Sequence, residues 1–148
     1  MMKKIVLSVL AAGVVLMGGF AQAEAAPANS DGSKPAAVKV TTTAGRTRLG
    51  DFAPEFARYN DDVLFGEVWS RNDILSLRER SLITVASLMS SGILDSSLKF
   101  HINNAKNHGV TKEEMAEVLT QLGFYAGWPK AWAAFNMAKE VYAEPAKK

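Results

Sequence analysis

The chain carries two histidines and no cysteine. Thiol nucleophiles, thiolate metal sites and disulfide redox chemistry are therefore excluded. His101 is the first candidate for chemistry. Its ordinary pKa allows an imidazole to give or take a proton at neutral pH, and it sits on a helical stripe with Leu94, Leu98, Ile102 and Ala105. A lone histidine on an apolar face also reads as a core residue with a satisfied ring. Glu117 lies beside the apolar Val118 and two turns before Tyr125. As a half-buried carboxylate it could orient His101 or relay its proton; otherwise it is a solvated glutamate. Arg80 offers a planar fork for a substrate carboxylate, against the plainer reading of an ion pair near a helix start. Glu67, Trp69, Tyr125 and Trp128 are candidate pocket walls, and each can also be read as packing or surface. His108 falls at a helix C-terminus, where the backbone dipole favours a cation. Two histidines are too few for a metal site without a preorganised set of carboxylates, so no metal and no cofactor are expected.

These residues fall between Phe65 and Tyr142, and the elements that must position them are helical. Ser76 and Glu79 form a capping box. They open a helix to Ser91 that is apolar on most sides, and Gly92 ends it. Asp95 caps a helix to His108, with Gly109 as its stop. Thr111 and Glu114 form a second capping box, followed by the stripe Met115, Val118, Leu119, Leu122 and Tyr125. After Gly127, Pro129 begins a last helix expected to bury Trp132, Phe135, Val141 and Tyr142. An earlier helix over Asp51–Gly66 has Phe52, Phe56, Tyr59, Val63 and Leu64 on one stripe, Asp51 as a possible cap and Pro54 in its first turn. Nothing alternates with the period of a strand. The expected fold is all-α, a compact helical domain of about five helices.

Met1–Ala23 reads as a secretory leader. Lys3 and Lys4 precede an apolar run from Ile5 to Phe20, and Ala21-Gln22-Ala23 is a small-x-small cleavage site. Cleavage would place the mature chain in a bacterial periplasm or outside the cell, without a membrane anchor. Residues 24–50 are rich in Ala, Ser, Thr, Pro, Gly and Lys, and read as a flexible tether with a possible extended piece at Val38–Thr43. Residues 51–148 form the domain. Loss of Lys3 and Lys4 leaves 15 basic residues against 15 acidic ones. That balance, mixed along the helices, gives no footprint for nucleic acid. The aromatic load is large for so small a core, which points to apolar surface in a contact between copies.

Arg78-Glu79-Arg80-Ser81-Leu82, His101, Gly109-Val110-Thr111 with Glu114 and Glu117, and Tyr125-Ala126-Gly127-Trp128-Pro129 together resemble the carboxymuconolactone decarboxylase family. The resemblance spans Phe65 to Tyr142. In the thiol branch of that family, the alkylhydroperoxidase D proteins, a Cys-x-x-Cys pair precedes the histidine and a glutamate acts in proton relay. Leu94, Ser97 and Ser81 stand at those positions here, so thiol peroxidase chemistry does not carry over. The cysteine-free branch, which contains the lactone decarboxylase, is the one this chain resembles. The resemblance implies an alkylhydroperoxidase D-like helical fold, assembly with itself as a homotrimer or homohexamer, and a small-molecule substrate. The reaction it implies is a cofactor-free decarboxylation or isomerisation of a small unsaturated lactone or keto acid. Such a reaction needs a cation for the carboxylate, a donor for the developing enolate oxygen and an acid for carbon. Arg80 is expected in the first role, Tyr125 in the second, and His101 with Glu117 behind it in the third. The reading from another class is a helical oligomer that binds a ligand without turning it over. A polar pocket at His101 would favour the enzyme, and a collapsed apolar surround the binder.

Overall fold

The structure is a computed structural model and describes residues 36–143. The expected leader and residues 24–35 of the expected tether lie outside the described residues. The described chain is all-helical: α1 Ala44–Leu49, α2 Pro54–Arg58 running on into a π-helical stretch Tyr59–Trp69, α3 Leu77–Ser90, α4 Ser96–Asn107, α5 Lys112–Ala126 and α6 Trp128–Ala143. No described helix is long and apolar enough to cross a membrane.

The ends of α3, α4 and α5 lie where local chemistry puts them. Ser76 Oγ accepts from the Glu79 amide at 3.2 Å, and Glu79 returns a bond to the Ser76 amide at 2.7 Å. Thr111 and Glu114 repeat the exchange at 3.2 and 2.9 Å. Asp95 Oδ1 accepts from the Ser97 amide at 2.8 Å. Each cap satisfies amides that the helix start leaves without a partner. Arg78 also pairs with Glu114, tying the start of α3 to the start of α5.

The main core lies among α3, α4, α5 and α6, built from Val85, Met89, Leu98, Ile102, Ala105, Val110, Met115, Leu119, Ala131, Ala134, Ala138 and Val141. Helix α6 gives it mostly alanines. At Gly123 of α5 a Cβ would lie 3.0 Å from the Trp128 ring, so α5 and α6 approach closely only because no side chain stands between them. A second, smaller cluster holds Val40, Phe65, Trp69 and Leu77.

Several expectations are corrected here. Residues 38–50 are not a tether. Val38 exchanges hydrogen bonds with the Asn72 side chain at 2.8 and 2.7 Å, Val40 N–H donates to Ser70 Oγ at 2.8 Å, and Lys39 Nζ donates to the Gly66 carbonyl. The Val40 side chain is buried, and α1 follows. Gly66 does not end the second helix: the π-helical turns carry it on to Trp69, with Asp61, Phe65, Gly66 and Trp69 on the buried side. Its first amide turn is entered from Ala53 with no side-chain cap, so Asp51 plays no capping part, whereas Pro54 does stand in the first turn. Finally, the stripe of the second helix does not face the core, and on α6 Phe135, Val141 and Tyr142 pack in or against the core as expected while Trp132 does not. Phe52, Phe56 and Tyr59 are exposed, and so is Trp132, at 63%. The exposed flank of α3 includes Ile83. Its buried line is Leu77, Ser81, Val85 and Met89, one side of the helix rather than most of it.

Candidate active site

The two histidines are held in opposite ways. His108 caps the C-terminus of α4 and is buried, with its ring 6.1 Å from that of Trp69. Its Nδ1 lies 2.7 Å from Ser81 Oγ, and Ser81 Oγ lies 2.8 Å from the Leu77 carbonyl. Ser81 has one proton for two contacts. The arrangement that uses both has His108 Nδ1–H donating to Ser81 and the Ser81 hydroxyl donating to Leu77. His108 is thus a satisfied structural residue between the two apolar clusters. Burial pushes its pKa below the ordinary histidine value, overriding the helix-end preference for a cation. The sequence signal for this pair was a serine at a core position of α3, spaced four residues from both Leu77 and Val85, because a buried hydroxyl requires a partner.

His101 is half-buried on α4, one turn beyond the helix start, with the Phe100 ring edge-on at 5.2 Å. Its Nδ1 is shielded from solvent and has no hydrogen-bond partner. Burial lowers its pKa from the ordinary histidine value, because a second proton would have to sit in a dry place with no acceptor. The ring lines a cavity of about 330 Å³ together with Arg48, Ser96, Ser97 and Phe100. The lining combines one arginine, two serines and the imidazole with one aromatic residue, so the surround of His101 is polar rather than collapsed.

The other expected site residues are not at this cavity. Glu117 is exposed on α5 and contributes nothing to the lining. Arg80 donates through Nη2 to the Arg71 carbonyl at 3.0 Å, and its Nε is buried without a partner. Burial first, then the nearby charge of Arg71, lowers the Arg80 pKa, with Asp73 opposing. Tyr125 is 82% exposed, and Trp128 packs its ring edge-on against Phe124 at 5.5 Å. Glu67 is exposed, and Trp69 is buried against Phe65 and His108. The residue missed by the sequence reading is Arg48, which lay in the stretch taken for tether. Among the described residues no three His, Asp or Glu side chains come together to hold a metal ion.

Fold and site define a class: an all-helical, thiol-free domain with a polar cavity that one histidine lines. The comparisons with known proteins give the family. Residues 54–140 match the carboxymuconolactone decarboxylase family, and the chain belongs to it. It is 40% identical over 96 residues to the 4-carboxymuconolactone decarboxylase of Acinetobacter baylyi (strain ATCC 33305 / BD413 / ADP1), an alignment covering 65% of this chain and 70% of that protein. It is 31% identical over 84 residues to an uncharacterized 15.0 kDa protein in the nqo9-nqo10 intergenic region of Paracoccus denitrificans, covering 56% of this chain and 62% of that one.

Proposed function

We propose that the chain is a carboxy-lyase that needs no cofactor and acts on a small unsaturated lactone or keto acid bearing a carboxylate. The observation that carries this reading is His101: a half-buried imidazole with an orphaned Nδ1, lining a polar cavity in a chain that belongs to a decarboxylase family. A half-buried imidazole with an unpartnered ring nitrogen, beside a polar cavity, is a functional-site candidate.

In the reaction, the bond between the carboxylate carbon and the substrate carbon breaks and carbon dioxide leaves. The electron pair passes through the conjugated system to the carbonyl oxygen. It returns as a proton is delivered to carbon, and His101 supplies that proton from its imidazolium form. Burial favours the neutral ring in the free protein. An incoming carboxylate raises its pKa, so the proton and the substrate enter together. The hydroxyls of Ser96 and Ser97 are the cavity's neutral donors for the developing enolate oxygen. Tyr125 stands too far out on the surface to serve there. Glu117 has no part in the proton's path within one chain.

The leader-like Met1–Ala23 supports export to a periplasm or the exterior. A physiological substrate other than γ-carboxymuconolactone follows, because the pathway that uses that lactone is expected in the cytosol. The exposed Phe52, Phe56, Phe124, Tyr125 and Trp132 support self-association, since large apolar side chains left in water favour a contact that covers them.

The test is carbon dioxide release. The purified protein is incubated with γ-carboxymuconolactone and with a set of unsaturated lactone carboxylates and β-keto acids. Release above the uncatalysed rate from at least one of them is expected, undiminished by a chelator. No release from any would move the assignment to a ligand-binding protein.

A further inference from the structure

We infer that Arg48 is the carboxylate anchor of the His101 cavity, supplied by a segment that precedes the part of the chain matching the family. The inference rests on the reading of that cavity as the substrate site. The family match begins at residue 54, whereas α1 spans Ala44–Leu49. Arg48 nevertheless lines the cavity with Ser96, Ser97, Phe100 and His101.

Arg48 is the only cation among the residues lining the cavity, and three others are committed elsewhere. Arg46, two residues earlier on α1, pairs with Asp62 at 2.6 Å and reaches Asp61 at 3.3 Å. Lys99, beside Phe100, is turned to Glu140 of α6 at 2.7 Å. Arg80 is bound to the Arg71 carbonyl. Arg48 is exposed and makes no ion pair among the described residues. The Ser97 amide at the start of α4 is not the receptor, because Asp95 already accepts from it. Arg48 is therefore the cation left to face a bound carboxylate, and its planar fork suits one. Phe100 provides the apolar side for the ring of a lactone.

The position of Arg48 is fixed by a clasp. The buried Asp61 carboxylate accepts from the Gly45 amide at 2.8 Å and the Arg46 amide at 3.0 Å, the first-turn donors of α1. A Cβ on Gly45 would stand 2.8 Å from both Asp61 Oδ1 and the Ala57 carbonyl, so α1 lies as close to the second helix as a backbone can. This clasp makes the extra helix a rigid carrier of Arg48 rather than a loose arm.

The probe is paraconate, a saturated lactone carboxylate with no conjugated route for decarboxylation, with uncharged γ-butyrolactone as its control. Binding is read by NMR on the His101 ring in the full chain. Arg48→Ala should weaken paraconate by about tenfold or more, the loss of one charge-assisted contact, and leave γ-butyrolactone unchanged. Arg48→Lys should recover part of the loss. In turnover, KM should rise by a like factor while kcat does not fall, since the contact is made in the ground state and weakens as the carboxylate's charge passes into the conjugated system. Equal paraconate affinity in wild type and Arg48→Ala overturns the anchor, as does absence of paraconate binding to wild type. If wild type releases no carbon dioxide from any substrate offered while paraconate binding still depends on Arg48, the decarboxylase reading fails and the carboxylate site stands.

Discussion

Replacing His101 by alanine is expected to lower kcat/KM by about 10²- to 10⁴-fold, the usual worth of a positioned proton donor, and to leave the fold intact. The second half of this expectation separates a chemical role from a packing role. His101 is half-buried, and its Nδ1 contributes no hydrogen bond that the substitution could break. Removing an unpartnered polar atom relieves a desolvation cost, which offsets part of the packing lost with the ring. The melting transition of His101→Ala should therefore stay within about 1 kcal/mol of wild type. His108→Ala should behave in the opposite sense, because it removes the donor to the buried Ser81 oxygen and opens a void beside Trp69. Turnover by assay and stability by thermal melting, done on both variants, check the contrast. Equal turnover in His101→Ala and wild type would remove His101 from the mechanism.

The second large effect is expected at Asp61. Its side chain is fully buried, and four donors converge on it: the amides of Gly45 and Arg46, Asn60 Nδ2 at 2.9 Å and Arg46 Nη1 at 3.3 Å. Asp61→Ala leaves the first turn of α1 without its acceptor and strands amides between two helices. The cost is about 2–4 kcal/mol, combining a lost cap with unsatisfied buried donors. The same variant frees α1, so KM should rise as it does for Arg48→Ala even though Asp61 does not line the cavity. Burial alone would push the Asp61 carboxyl up. The Arg46 amide, Asn60, the Gly45 amide and the Arg46 charge outweigh it, and the net shift is downward. A carboxyl with a lowered folded-state pKa contributes stability that is present above the ordinary aspartate value and is lost as pH falls through the folded value. Wild type should lose stability below the ordinary aspartate range, and Asp61→Asn should show a flatter acid limb. Melts of wild type, Asp61→Ala and Asp61→Asn between neutral pH and strong acid read both effects. Unchanged stability of Asp61→Ala would show that α1 is held by something else.

Much of the bundle was legible because its signals are local. Ser76 with Glu79, Thr111 with Glu114, and Asp95 each name a helix start within four residues of chain. Gly92, Gly109 and Gly127 mark the stops, where φ is +81, +83 and +114°. The N-terminal strap and α1 were not legible, because what orders them is neither local nor apolar. Asn72, Ser70 and Asp61 hold backbone groups 15 to 34 residues away, and no periodicity records such a bond. Arg48 was lost with that segment. Arg80 stood in for it because the sequence shows an arginine's type and not which carbonyl it meets. The stripe through Phe52, Phe56 and Tyr59 was visible, but a stripe says only that a face is apolar. Whether the chain's own core or another copy covers it is a tertiary fact. His101 could be found from its place on α4, and the distinction from His108 came only with the partner, Ser81, which sits 27 residues earlier in the chain.

The most direct test of the central claim, that His101 is the proton donor, compares two titrations on the wild-type protein. The first is the pH dependence of kcat/KM, which reports the free protein. The second is the NMR titration of the His101 ring. The account predicts one shared midpoint below the ordinary histidine value, because burial lowers the His101 pKa. It also predicts that kcat/KM falls as pH rises through that midpoint, since the protonated ring is the active form. A rate that is flat across the His101 titration, or that rises as His101 loses its proton, would contradict it.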